Sequence, residues 1–114
     1  MALALSRGYA ALSRLARGEL PLLNRRTVTA DTTVNALDEL LRVDATAGAV
    51  TITLRPSQQP PRRPLRVKKI DDSANAVTIA AADGETIEGA SSVTLAAQWD
   101  HITLLPGDAG WEEY

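Results

Sequence analysis

The chain has 114 residues, which leaves room for one domain and no second core. Hydrophobic residues make up 45%, yet Phe is absent and aromatics are only 4%, so the core must come from Ala, Leu, Val and Ile; with no Cys and one His, disulfides are excluded and a structural zinc site is not expected. The net charge of −2 conceals an asymmetry, with Met1 to Arg26 carrying five arginines against Glu19 and Thr27 to Tyr114 carrying seven basic and thirteen acidic side chains, a body too acidic for nucleic acid to be its main ligand.

Met1 to Gly18 predicts a helix, with Leu5, Tyr9, Leu12 and Ala16 at helical spacing. Leu5-Ser6-Arg7 recurs as Leu12-Ser13-Arg14, and a seven-residue offset returns side chains to nearly the same helix face. Gly8 weakens the interior by about 1 kcal/mol, and Gly18 suits a C-terminal stop. Rich in Arg, Ser and Ala, the segment shares features with a mitochondrial transit peptide and with a membrane-surface helix. It is too short and charged to span a bilayer. The favoured reading is an anchor that docks on a protein partner. Leu5, Tyr9 and Leu12 would supply the apolar face, and Arg7, Arg14, Arg17, Arg25 and Arg26 would pair with an acidic surface. Glu19 to Arg26 is a connector, since Pro21 blocks helix continuation. The division is therefore a basic arm over 1–26, helical then extended, and an all-β domain over 27–114.

The β-domain opens with Thr27 to Val34, alternating and Thr-rich. Leu37 to Asp44 predicts a strand with Leu41 and Val43 inward, and Asp44 to Gly48 a turn. Gly48 to Leu54, GAVTITL, is the clearest strand, with Val50, Ile52 and Leu54 on one face and Thr51 and Thr53 on the other. Ala76 to Ile79 and Ser92 to Leu95 repeat its grammar. Arg55 to Pro64 holds four of the six prolines and reads as a rigid loop. In Leu65 to Ile70, Arg66 and Lys68 share one face and Leu65, Val67 and Lys69 the other. The run Asp71 to Asn75 is a turn, and short strands follow at Ala76 to Ala80, Thr86 to Glu88, Val93 to Ala96, Gln98 to Leu105 and Trp111 to Tyr114. The expected fold is mainly β: a small β-sandwich, barrel or β-prism domain with an N-terminal helical or extended arm. Oligomerisation is expected because a core without large side chains buries little area, worth about 25 cal/mol per Å².

No constellation specifies a reaction. Asp100 and His101 are successive strand residues and face opposite ways, so they form no local dyad. The carboxylates Asp71, Asp72, Asp83, Glu85 and Glu88 fall in or beside turns, where they serve as turn formers. Trp99 and Trp111, with Ile102, read as packing or subunit-interface anchors. No enzyme activity, cofactor or metal is expected.

From Leu40 onward, LLRVDATAGAVTITL, VKKIDDSANAVTI and GETIEGASSVTLAAQWDHITLLPGDAGW resemble a module of tailed-phage virion proteins, found in tail fibres, head fibres and related structural proteins. Asp44, Gly48, Lys68, Lys69, Asp71, Ser73, Asn75, Glu85, Ile87, Gly89, Gln98 and Trp111 stand at its motif positions. The resemblance implies a non-enzymatic homotrimer located in the virion. Trp99 stands where the motif has Tyr, Arg55 to Pro64 replaces a shorter loop, and Met1 to Arg26 has no counterpart. The resulting expectation is a capsid decoration protein or head fibre that meets the major capsid or another virion protein through its arm. The alternatives are a tail-fibre or receptor-binding component, and a small carbohydrate-binding domain or enzyme using His101, Asp100 and the Trp residues.

Overall fold

A computed structural model describes residues 24–114. The predicted helix and its partner-binding residues Leu5, Arg7, Tyr9, Leu12, Arg14 and Arg17 lie outside that range. Ten strands follow in chain order: β1 (Arg25–Val28), β2 (Thr32–Thr33), β3 (Leu40–Val43), β4 (Val50–Thr53), β5 (Leu65–Lys69), β6 (Val77–Ala80), β7 (Thr86–Ile87), β8 (Ser92–Leu95), β9 (His101–Pro106) and β10 (Gly110–Glu113). They form a six-stranded sheet ordered β1-β3-β5-β9-β10-β7 and a four-stranded sheet ordered β2-β4-β6-β8.

The chain alternates between the two sheets from β1 to β6, and successive strands within each sheet are parallel. Parallel strands need a crossover, and here each crossover is a strand of the opposite sheet. The result is a short coil of stacked two-strand turns, closed at its C-terminal end by antiparallel β8, β9 and β10. Stacking explains the sequence grammar. Val50 sits beside Val77 and Ile52 beside Ile79, while Val77 and Ile79 meet Leu95 and Val93 of β8. The three similar stretches are neighbours in one sheet, so like side chains bury one another in columns.

Alternation assigns the inner faces as expected. Leu41, Val43, Val50, Ile52, Leu54, Leu65 and Val67 are all buried, and both sheets feed a single core that also takes Val77, Ile79, Ile102, Leu104 and Trp111. Full burial of each such side chain contributes about 1.5 to 3 kcal/mol.

Most boundaries move by a residue or two, and three of the differences have a clear physical cause. Arg25 and Arg26 are the first residues of β1 and belong to the sheet, whose start precedes Thr27. Arg26 faces inward at the edge and donates Nε to Asp38 Oδ1 (2.9 Å) and Nη2 to Asp38 Oδ2 (2.8 Å). Burial by itself would raise the Asp38 carboxyl, but the Arg26 fork and the Asn35 N–H hold it below its ordinary value. Asp38 closes a turn through that Asn35 N–H (2.9 Å), so the next strand begins at Leu40 and not at Leu37. The predicted strand at Gln98 starts at His101, because residues 96 to 100 form a turn.

The proline-rich loop is pinned from several sides. Ser57 is buried and donates its N–H (2.9 Å) and hydroxyl (3.0 Å) to the Glu85 carboxylate. Arg62 Nε reaches Ser57 O (3.1 Å), Gln58 Nε2 reaches Gly107 O (2.6 Å), and Trp111 Nε1 donates to Arg55 O (3.0 Å). A charge-assisted pair of hydrogen bonds from a buried serine makes Glu85 the main tether. Glu85→Ala is expected to cost about 2 kcal/mol, read by denaturant titration, and to open residues 55–64 to protease cleavage.

Candidate interaction surface

Three features of the described residues carry chemistry: a buried charge network, the turn that carries Trp99, and the outer face of the six-stranded sheet. The network grows from the alternation of β5. Lys69 follows Leu65 and Val67 on the inner face and is fully buried, its stem beside Val43 in register. Its ammonium donates to Asp71 Oδ2 at 2.7 Å. Asp71 also accepts the Ala45 N–H on Oδ1 (2.7 Å), the Ser73 N–H on Oδ2 (3.1 Å) and the Ser73 hydroxyl. Asn75 Nδ2 donates to Ala45 O at 2.8 Å. Burial would push the Asp71 carboxyl up; the Lys69 ammonium first, then Ser73 and the Ala45 N–H, overcome this and hold it well below the usual carboxylate range. No buried side-chain N or O among the described residues lacks a partner. The network is a clasp between the turn after β3 and the turn after β5. Asp44 folds the first of these by accepting from Thr46 N (3.0 Å) and Thr46 Oγ1 (2.6 Å).

The 96–100 turn is built around Asp100. Its Oδ2 accepts from Ala96 N (3.1 Å) and Ala97 N (3.0 Å), and its carbonyl accepts from Lys69 N (2.9 Å). Gln98 Nε2 donates to Ile70 O (3.2 Å), and Trp99 N donates to Lys69 O (2.8 Å). These bonds hold Trp99 at φ +73°, a left-handed conformation that strains a bulky side chain by about 1 to 2 kcal/mol. The strained turn turns the indole outward, 55% exposed, with Lys68 Nζ 5.3 Å from its ring centroid. His101 Nδ1 donates to the Trp99 carbonyl (3.2 Å), so Asp100 and His101 are occupied separately and form no dyad. Among the described residues no group of His, Cys, Asp or Glu is arranged to hold a metal ion.

Register lays out the outer face of the six-stranded sheet. One row crosses it as Arg25, Leu40, Arg66 and Thr103, and reaches Tyr114 through the Tyr114 N–H bond to Thr103 O (2.8 Å). A second row runs Thr27, Arg42, Lys68 and His101, with Arg42 Nη1 donating to Thr27 Oγ1 (3.3 Å). Neighbouring strands lie about 4.8 Å apart, so the cations form a close ladder. Trp99 and the 72% exposed Tyr114 border it. Arginine with exposed Trp and Tyr is the composition of a protein interface. The opposite face of the molecule is different in kind: Thr33, Thr53, Ala80 and Ser92 form one row of the four-stranded sheet and Thr51, Thr78 and Thr94 another, with no charge.

The predicted interface residues separate on this structure. Trp99 lies on the exposed face, whereas Ile102 and Trp111 are 4% and 5% exposed and pack inside their own core. Of the predicted arm residues, Arg25 is exposed on the cationic face and Arg26 is engaged by Asp38. Arg42 was missed. Its signal was the inward pair Leu41 and Val43, which forces it outward, but only the topology sets it beside Lys68.

No protein-family model matches the chain, and no curated protein matches it.

Proposed function

We propose that the protein is a structural component of a tailed-phage virion, a homotrimeric capsid decoration protein or head fibre that docks on the particle through its basic N-terminal segment. The observation that supports this reading is what the motif residues do. Lys69, Asp71, Ser73 and Asn75 make the buried clasp, Asp44 folds the turn it closes, Glu85 tethers the long loop, and Gln98 fixes the strained turn. Gly89 adopts φ +89° after β7, Ile87 is buried, and Trp111 bonds Arg55 O. Most of the positions on which the resemblance rests thus carry turns, tethers or core contacts of this fold, and this supports the reading.

The test is removal of residues 1–23, leaving β1 and the Arg26–Asp38 pair intact. The expected result is a folded body that no longer binds particles; retained particle binding would overturn docking through the arm. A tail-fibre role is the second reading, favoured by the tip of the proline-rich loop, where Pro56, Gln59, Pro60 and Pro61 are exposed above a pinned base. Truncated protein that still binds host cells would decide for it.

A further inference from the structure

Charge is sorted along the strand order of the six-stranded sheet. Its strand cations, Arg25, Arg26, Arg42, Arg66, Lys68 and Lys69, all lie on β1, β3 and β5, at one side. Its strand carboxylates, Glu112 and Glu113, lie on β10, with Glu88 directly after β7 and Asp108 in the turn before β10, at the other side. Among the described residues, the ion pairs are Arg26 with Asp38, Arg63 with Glu39 and Lys69 with Asp71. The outward cations Arg25, Arg42, Arg66 and Lys68 and the acids of the far edge therefore face solvent without described counter-ions. The acidic edge also holds a hollow of about 160 Å³ lined by Glu88, Asp108, Trp111 and Glu112 among others, a size that admits the end of a lysine or arginine side chain.

We propose that copies of this chain associate head to tail, the Arg25, Arg42, Arg66 and Lys68 face of one protomer seated against the Glu88, Asp108 and Glu112 edge of the next. The two surfaces are complementary in sign and lie at opposite ends of one sheet, so each protomer offers both halves of the contact. A repeated head-to-tail contact closes into a ring when its rotation allows. Trp99 and Tyr114 supply the apolar contact area beside the charges. This inference rests on the trimer reading above and names its contact.

The experiment is sedimentation velocity on the full chain at low salt and in about 1 M NaCl, where the screening length falls to about 3 Å. The wild type is expected to be oligomeric at low salt and to dissociate in high salt. The pair Arg42→Glu and Arg66→Glu should weaken association about tenfold or more, and so should the pair Asp108→Lys and Glu112→Lys. All four together restore complementarity with the signs exchanged and should restore the oligomer. Circular dichroism of each variant confirms the fold. A trimer indifferent to salt and to both reversals would overturn this contact and leave the trimer standing. A chain monomeric at every salt concentration would overturn both, including the case in which the basic face serves an acidic surface of another protein.

Discussion

Asp71→Ala is expected to lower the stability of the domain by about 3 to 5 kcal/mol, the cost of leaving a buried charge without its partner. The removed carboxylate serves Lys69 Nζ, the N–H groups of Ala45 and Ser73, and the Ser73 hydroxyl, so four donors lose their acceptor together. Lys69→Met should cost less, because the remaining carboxylate keeps its Ala45 and Ser73 donors and methionine fills the apolar path of the lysine stem. Denaturant titration of the two single variants and the double variant checks this: the double should cost less than the sum of the singles, since the groups act as a unit.

The same carboxylate gives a pH signature. Its folded-state pKa lies below the ordinary value, so its contribution is fully present above the unfolded carboxyl range near about pH 4 and is lost as pH falls through the folded-state value. Wild-type stability measured against pH, minus that of Asp71→Asn, should be flat from pH 7 to about pH 5 and shrink below about pH 4. A difference that is constant down to pH 2 would count against an ionised Asp71 in the clasp.

Gly110→Ala is the second change of large effect. A Cβ at Gly110 would stand 2.0 Å from the Thr86 carbonyl oxygen and 2.8 Å from the Thr86 nitrogen, both backbone atoms that cannot rotate away. The residue also holds φ +153°, which a side chain resists. The substitution must push β10 from β7 and is expected to cost about 3 kcal/mol or more. Amide exchange should show selective loss of protection at Glu88, whose N–H bonds Trp111 O (3.0 Å) across that junction. Gly84→Ala is the control: φ is +79° but the space is open, so only the conformational cost of about 1 to 2 kcal/mol remains.

Much of the strand content was legible because burial in a sheet has a period of two. Val50, Ile52 and Leu54, or Leu65 and Val67, announce their inner face without any knowledge of their neighbours. Alternation even placed Lys69 inward, against its charge. It could not say why a lysine tolerates burial, because the counter-charge Asp71 lies beyond the strand end in a segment that reads as an ordinary polar turn. The turn at Trp99 was illegible for a related reason. No Gly or Pro marks it, and the left-handed backbone is imposed by bonds from Asp100, Lys69 and Ile70.

The candidate surface divides the same way. Arg66 and Lys68 share a face by local geometry, and the Thr residues of GAVTITL share another. That Arg42 and Arg25 join the first pair depends on a strand order in which β3 sits between β1 and β5, and that Glu112 and Glu113 stand far from them depends on β10 lying beyond β9. Sequence by itself therefore determined the β class and the inner and outer face of each well-patterned strand, both of which follow from local periodicity and composition. Only the tertiary structure decided that similar stretches stack as adjacent strands, that Trp111 and Ile102 are spent inside while Trp99 is displayed, and that charge is sorted across one sheet. Strand pairing joins residues far apart in the chain, and no local pattern encodes the partner.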